Sequence, residues 1–358
     1  MIDLNLLMNA ITFASIISLL SLGITLSYMT TRVFNFAHTR FATFAAYMAA
    51  TVMLKVVADQ GVKPSFNPAD LGWGQLTVPL PGGIYALGLV VAIIAGGFIA
   101  VIQYFLVLRP LEKRGAGSLT LMISTLGFDF VLLAFLFIYS SHAGTRGLAE
   151  AASRFGVNTS PDRLTFSAYD LSLVSGGVYY SGAFIQAVVF TAALVALFGV
   201  MLKKTKIGIM MRASIENPPL AKVLGVNVDM VYTFTWFLAG ASAGIAGYLI
   251  LFSTDTILSV YITPVSPSDN IIVSVFAGSI VGGIYSVFGS IGGGFLIGLV
   301  EQLFVPWLAS VLAFPDLTKY AKVFSMAAVA LTLLFLPEGI ASLPRTKWWR
   351  KIRGGGVE

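Results

Sequence analysis

The chain has no cysteine, which excludes disulfides, thiolate catalysis and cysteine metal sites. It has two histidines, His38 and His142, too far apart in sequence to suggest a His-based metal centre. Charge is scarce too. Only 11% of the 358 residues are charged, against about 25% in a soluble globular domain. No GxxxxGK[ST] occurs, so no Lys-bearing phosphate loop is expected. No HExxH motif and no clustered carboxylates appear, which disfavours an intramembrane enzyme. No metal and no cofactor is expected.

Apolar residues fill the space left by charge. They make up 57% of the chain, and its mean hydropathy is +0.88. Apolar runs recur over roughly 6–29, 41–58, 84–108, 118–140, 183–202, 231–252, 270–286, 291–312 and 323–337. Runs of about 20 residues cross about 30 Å of hydrocarbon. The pattern predicts an all-α polytopic membrane protein, one transmembrane domain over 1–358 with about eight or nine spanning helices. The short alternating segments of an outer-membrane barrel are missing.

The net charge of +6 does not require nucleic acid as a partner. Loops on the cytoplasmic side of a membrane protein are enriched in Lys and Arg. With the N-terminus outside, the inside loops hold most of the 22 basic residues. These are Arg32 and Arg40; Arg109, Lys113 and Arg114; Lys203, Lys204, Lys206, Arg212 and Lys222; and Arg345, Lys347, Arg350, Lys351 and Arg353. An N-out, C-in orientation is therefore expected. It places 59–83 and 141–182 outside and 203–230 inside. The segment 141–182, with its strand-like ends, suggests a small outer cap.

Glycine is patterned. Gly240/Gly244, Gly278/Gly282 and Gly294/Gly298 are small-xxx-small pairs that allow close helix approach. "GSIVGGIYSVFGSIGGG" (278–294) is so rich in glycine that a broken or re-entrant segment is expected there. Segments one to four and six to nine have the order of an inverted repeat around one linker helix.

The polar stretch 203–230 interrupts this pattern. "KKTKIGIMMRASIENPPLAKVLGVNVD" predicts a short helix over 208–216, a break at Pro218–Pro219, a second short helix over 219–224 and a stop at Gly225. Neither helix is long enough to span.

This stretch resembles the cytoplasmic coupling segment of permease subunits in branched-chain amino acid and urea/amide ABC importers. Three further stretches resemble the same family in the same order. They are "GITLSYMTTRVFNFAHTRFATFAAYMA" (23–49), "FLAGASAGIAGYL" (237–249) and "IIVSVFAGSIVGGIYSVFGSIGGGFLIGLVE" (271–301). In the family, "NFAH" usually continues Gly-Glu and ends near "GAY". Here Thr39 and Arg40 follow, and Ala46 precedes Tyr47, so a basic residue stands where an acidic one is usual.

The resemblance implies an importer of a small polar solute, branched-chain or related amino acids ahead of urea and short amides, in a prokaryotic inner membrane. It implies two ATP-binding subunits that hydrolyse ATP, a second permease subunit (homologous or identical), an extracytoplasmic solute-binding protein and the lipid bilayer as partners. Arg212, Ala213, Glu216, Asn217, Ala221, Leu224 and Gly225 would form the coupling surface. Polar groups at membrane depth are functional candidates. Asn35, His38, Arg40 and Tyr47 would line a solute path, unless Arg40 merely snorkels to the headgroups. Asp129, mid-segment, would face a cavity or hold helices together, or serve as the ion site of a secondary transporter. Glu301 reads as a structural hydrogen-bonding group ahead of a solute contact.

Overall fold

The computed structural model describes residues 4–59, 65–66, 76–77, 82–140, 173–175, 178–253, 265 and 267–345. Helices dominate. In chain order they are α1 (Leu4–Thr31), α2 (His38–Asp59), α3 (Gly82–Gln103), α4 (Arg109–Lys113), α5 (Ser118–Tyr139), α6 (Gly182–Lys204) and α7 (Lys206–Glu216). There follow α8 (Pro218–Val223), α9 (Val228–Phe252), α10 (Ser268–Gly282), α11 (Val287–Leu299), α12 (Val305–Val311) and α13 (Ala321–Phe335). Short π-helical turns, Tyr104–Leu108 and Val300–Phe304, join α3 to α4 and α11 to α12. Two small antiparallel hairpins pair Ser65–Phe66 with Leu76–Thr77 and Leu173–Ser175 with Val178–Tyr180. The second supports the strand-like end expected of the outer cap; residues 141–172 lie outside the described ones.

Each of the nine apolar runs falls on a helix or a pair of continuous helices. Seven are long and apolar enough to cross a membrane. The chain is a multi-pass membrane protein. Of the other two, α2 is long but more polar, and α10 has 15 residues. At 1.5 Å per residue α10 measures about 22 Å, short of the hydrocarbon thickness.

The expected break in the glycine-rich run is present. α10 stops where Gly283 takes φ +111°, outside the range of most side chains, and α11 starts at Val287. The two helices then lie back to back through Gly278, Gly282, Gly289, Gly293 and Gly294. A Cβ on Gly282 would fall 2.1 Å from the Gly289 carbonyl oxygen. The pair Gly240/Gly244 does the same work between α9 and α3, where Cβ atoms would meet the carbonyls of Gly96 and Ala92 at 2.1 and 2.2 Å. Residues 240–244 also spell GxSxG, the spacing of a hydrolase nucleophile elbow. They sit inside continuous helix α9, and the Ser242 hydroxyl donates back to the Ala239 carbonyl. This is packing, not a nucleophile.

α1 is the centre. It touches α6, α9, α10 and α11 and is buried along most of its length. Its hydroxyls bind other helices: Ser18 donates to the Ile291 carbonyl (2.9 Å), Ser21 to Val275 (3.0 Å), and Thr25 pairs with Ser279 (2.8 Å). Inter-helix bonds of this kind hold helices where lipid supplies no hydrophobic drive between them.

Candidate transport site

α1 ends at Thr31, and Arg32 reverses the chain with φ +57°. The chain then climbs back along α1. His38 packs so close to Gly23 that a Cβ there would lie 2.3 Å from its Nε2. Gly23 is eight residues before Thr31, about 12 Å along the helix. α2 therefore starts inside the bundle rather than at its end. Asn35 fastens the climb: its amide exchanges two hydrogen bonds with Gln103, at 2.8 and 3.0 Å. The Phe36 amide donates to Thr125.

This re-entry delivers Arg40 to the middle of the fold. Its Nε donates to Asp129 Oδ1 at 2.9 Å and its Nη2 to Asp129 Oδ2 at 3.1 Å. Nη2 also donates to Asp269 Oδ1 at 2.6 Å, and Nη1 to the Val265 carbonyl at 3.1 Å. Asp129 lies halfway along α5 and Asp269 in the first turn of α10. The Arg40 side chain is 2% exposed, held inside the bundle rather than extended out of it. A buried ion left unpaired would cost several kcal/mol, which the forked geometry avoids. Beside it Thr43 pairs with Ser268 at 2.5 Å, and Ser268 donates to the Thr39 carbonyl at 3.0 Å.

Among the described residues the cluster holds one positive and two negative groups. Asp129 is 12% exposed and Asp269 52%. Asp269 is thus the more open of the two carboxylates. Towards the α7/α8 end runs a ladder of rings. Phe36 and Phe34 meet Phe276 at 5.3 and 5.5 Å, Phe34 meets Tyr28 at 4.9 Å, and Tyr28 meets Tyr285 at 5.7 Å. The Arg32 guanidinium covers Tyr285 at 4.9 Å. A hydrogen bond with Tyr28, helped by Arg32, holds the Tyr285 phenol below its usual pKa.

The other predicted path residues lie elsewhere. His38 is fully buried among α1 and α9 atoms, and Tyr47 is buried further along α2. Glu301, in the π-helical turn after α11, heads a separate cluster. It accepts from Ser274 at 2.8 and 3.0 Å, from Lys322 at 2.6 Å, and from Ser325. Lys322 is an ion-pair partner that sequence reading missed. Asp269 was missed as well. In "SPSDN" it reads as an ordinary loop acid, and its one signal is its place at the head of an apolar run.

The polar stretch is built as expected. Thr205 caps α7 by accepting from the Gly208 amide, and Asn217 caps α8 by accepting from the Leu220 amide. α8 ends with Gly225 at φ +84°, its amide on the Lys222 carbonyl and that of Val226 on Ala221. Arg32 donates to the Ile215 carbonyl and Tyr232 to that of Ser214, so the end of α7 is tied to α1 and α9. Arg212, Glu216, Asn217, Leu224 and Gly225 are exposed, Ala213 is half-buried and Ala221 is buried. Val223 and Leu224, 83% and 72% exposed, form an apolar tip.

The family model described as "Branched-chain amino acid transport system / permease component" matches residues 6–335. The chain belongs to this permease family. The permease is 35% identical over 345 residues to the probable branched-chain amino acid transport permease protein LivH of Methanocaldococcus jannaschii, covering 96% of this chain and 93% of the relative. It is 25% identical over 341 residues to the high-affinity branched-chain amino acid transport system permease protein LivH of Escherichia coli, covering 95% of each. It is 24% identical over 346 residues to BraD of Pseudomonas aeruginosa, covering 95% and 96%.

Proposed function

We propose that the chain is the membrane-spanning permease subunit of an ABC importer that carries branched-chain amino acids by alternating access across a prokaryotic inner membrane. Its relatives are named for that solute class. The whole of 1–358 forms one transmembrane domain, N-out and C-in. Residues 59–83 and 141–182 meet an extracytoplasmic binding protein, 203–230 meets two ATP-hydrolysing subunits, and a second permease completes the path. α7 and α8 are short, capped and tied at Ile215 and Ser214, so a push on their exposed tip reaches α1 and α9 rather than being absorbed by a loose loop.

The Arg40 cluster carries the solute reading. A zwitterionic amino acid needs an anionic contact for its ammonium group, and Asp269 offers one at mid-depth. Arg40 holds that carboxylate in place from behind. The same geometry weakens the secondary-transporter alternative, because Asp129 already accepts two hydrogen bonds from Arg40. The test is leucine uptake by the full complex in vesicles. Asp269→Asn should lower uptake at least tenfold while binding-protein-stimulated ATP hydrolysis persists. Uptake equal to the parent, or uptake independent of ATP, removes the reading.

A further inference from the structure

The groups around Glu301 converge on one positive charge. The Glu301 side chain is fully covered, and a carboxylate so placed in a spanning helix needs a cationic partner. Its Oε1 accepts from the Ser325 hydroxyl of α13 and from Ser274 of α10 at 2.8 Å. Its Oε2 accepts from Ser274 at 3.0 Å and from Lys322 Nζ at 2.6 Å. The ammonium also donates to Ser274 Oγ at 2.5 Å and stands 5.8 Å from the centre of the Phe13 ring on α1. Ser274 can accept from the ammonium and still give its one proton to the carboxylate. A carboxylate oxygen, a hydroxyl oxygen and a ring face thus meet the same nitrogen, the groups by which proteins recognise small cations.

The cation itself arrives on a tether. Phe13, Ser274, Glu301 and Ser325 are all buried, and Lys322, one-third exposed, is the open member of the five. It is the second residue of α13, directly after the 3-10 turn Pro315–Tyr320, whose Asp316–Lys319 pair is 61% and 75% exposed. We propose that Glu301, Ser274 and Phe13 form a monovalent-cation site that the chain fills with the ammonium of its own Lys322. The ligand class is a small cation with N–H donors, ammonium or a primary alkylammonium, because both oxygens now accept hydrogen bonds. One carboxylate balances one charge, so a divalent ion does not fit the site. The tether makes the joint between α10, α11 and α13 independent of ions in solution: α13 brings the counter-ion with it. The inference stands apart from the solute reading.

Lys322→Ala keeps the three receiving groups and removes the ammonium. The full-length variant in detergent should melt several degrees below the parent in choline chloride. Methylammonium chloride at the same concentration should restore at least half of that loss, because a cation bound only by the folded state stabilises it. The parent, with its site filled, should melt alike in both salts. Lys322→Ala combined with Glu301→Gln should also melt alike in both, because no charge remains to hold the cation. A Lys322→Ala protein that melts alike in methylammonium and choline overturns the proposal, as does a double variant that gains as much from methylammonium as the single one. Where Lys322→Ala is not monodisperse in choline, its recovery by purification in methylammonium supports the site, and failure in both salts overturns it.

Discussion

Arg40 and Asp129 meet as a two-pronged ion pair, Nε to Oδ1 at 2.9 Å and Nη2 to Oδ2 at 3.1 Å, with the guanidinium 2% exposed. Breaking such a pair from one side strands a charge at membrane depth. Arg40→Ala should therefore destabilise the permease by about 3–5 kcal/mol. Asp129→Leu combined with Arg40→Met should be milder than the sum of the single changes, because neither then leaves the other unpaired. Thermal unfolding in detergent, run as a double-mutant cycle, measures the coupling. Additive effects would show that the two side chains act independently.

The α3–α9 contact should be intolerant of any added atom at Gly240, where a Cβ would fall 2.1 Å from the Gly96 carbonyl oxygen. Gly240→Val is expected to abolish monodisperse protein on size-exclusion chromatography. Gly127→Ala, where a Cβ meets nothing within 4 Å, should elute like the parent. Equal behaviour of the two would mean the close approach is not needed for folding.

In the coupling segment, Gly225 holds φ +84° and faces open space. Gly225→Val adds backbone strain of order 1–3 kcal/mol without a clash. Stimulated ATP hydrolysis and uptake should both fall several-fold while membrane insertion is unchanged. Glu216→Lys should uncouple in the same way, and a cross-linker at 216 should reach an ATPase subunit. Parent-like rates in both variants, without a cross-link, would reduce α7 and α8 to a loop.

Glu301 joins α10, the turn after α11, and α13 through Ser274, Lys322 and Ser325. Glu301→Gln keeps hydrogen-bonding atoms but loses the charge; Glu301→Leu loses both. Lys322 is one-third exposed, so the charge itself is partly screened. Melting temperature should fall modestly for Gln and further for Leu, by about 2 kcal/mol or more in stability. An identical melting temperature for all three proteins would remove Glu301 from the frame.

The elements and the site were not equally legible in the sequence. Apolar runs and glycine spacing depend on local composition, so a helix on each of the nine apolar runs, the break near Gly283, the break at Pro218–Pro219 and the stop at Gly225 could be read in advance. The Arg40 cluster could not. It joins residues 89 and 229 positions apart, and no local pattern reports that α2 begins inside the bundle. Arg40 was noticed as a departure from a motif and Asp129 as a lone charge, yet nothing in either position named the other. The climb from Arg32 to Ala37 is set by the bond between Asn35 and Gln103 and by the space left at Gly23, both features of tertiary packing.

The serines of α1 also set an order of events. Ser18 and Ser21 find their carbonyls on Ile291 and Val275, 273 and 254 residues later in the chain. Synthesis makes α1 first and those acceptors near the end. Until then the central helix of the finished bundle lies in the membrane without α10 and α11, and Ser18 and Ser21 have the carbonyls of their own helix to turn to, as Thr12 and Ser27 do in the folded state. The helices α3 and α9 can pack on each other before then, and the insertion of α10 and α11 supplies the acceptors that let the Ser18 and Ser21 hydroxyls turn from their own helix to others.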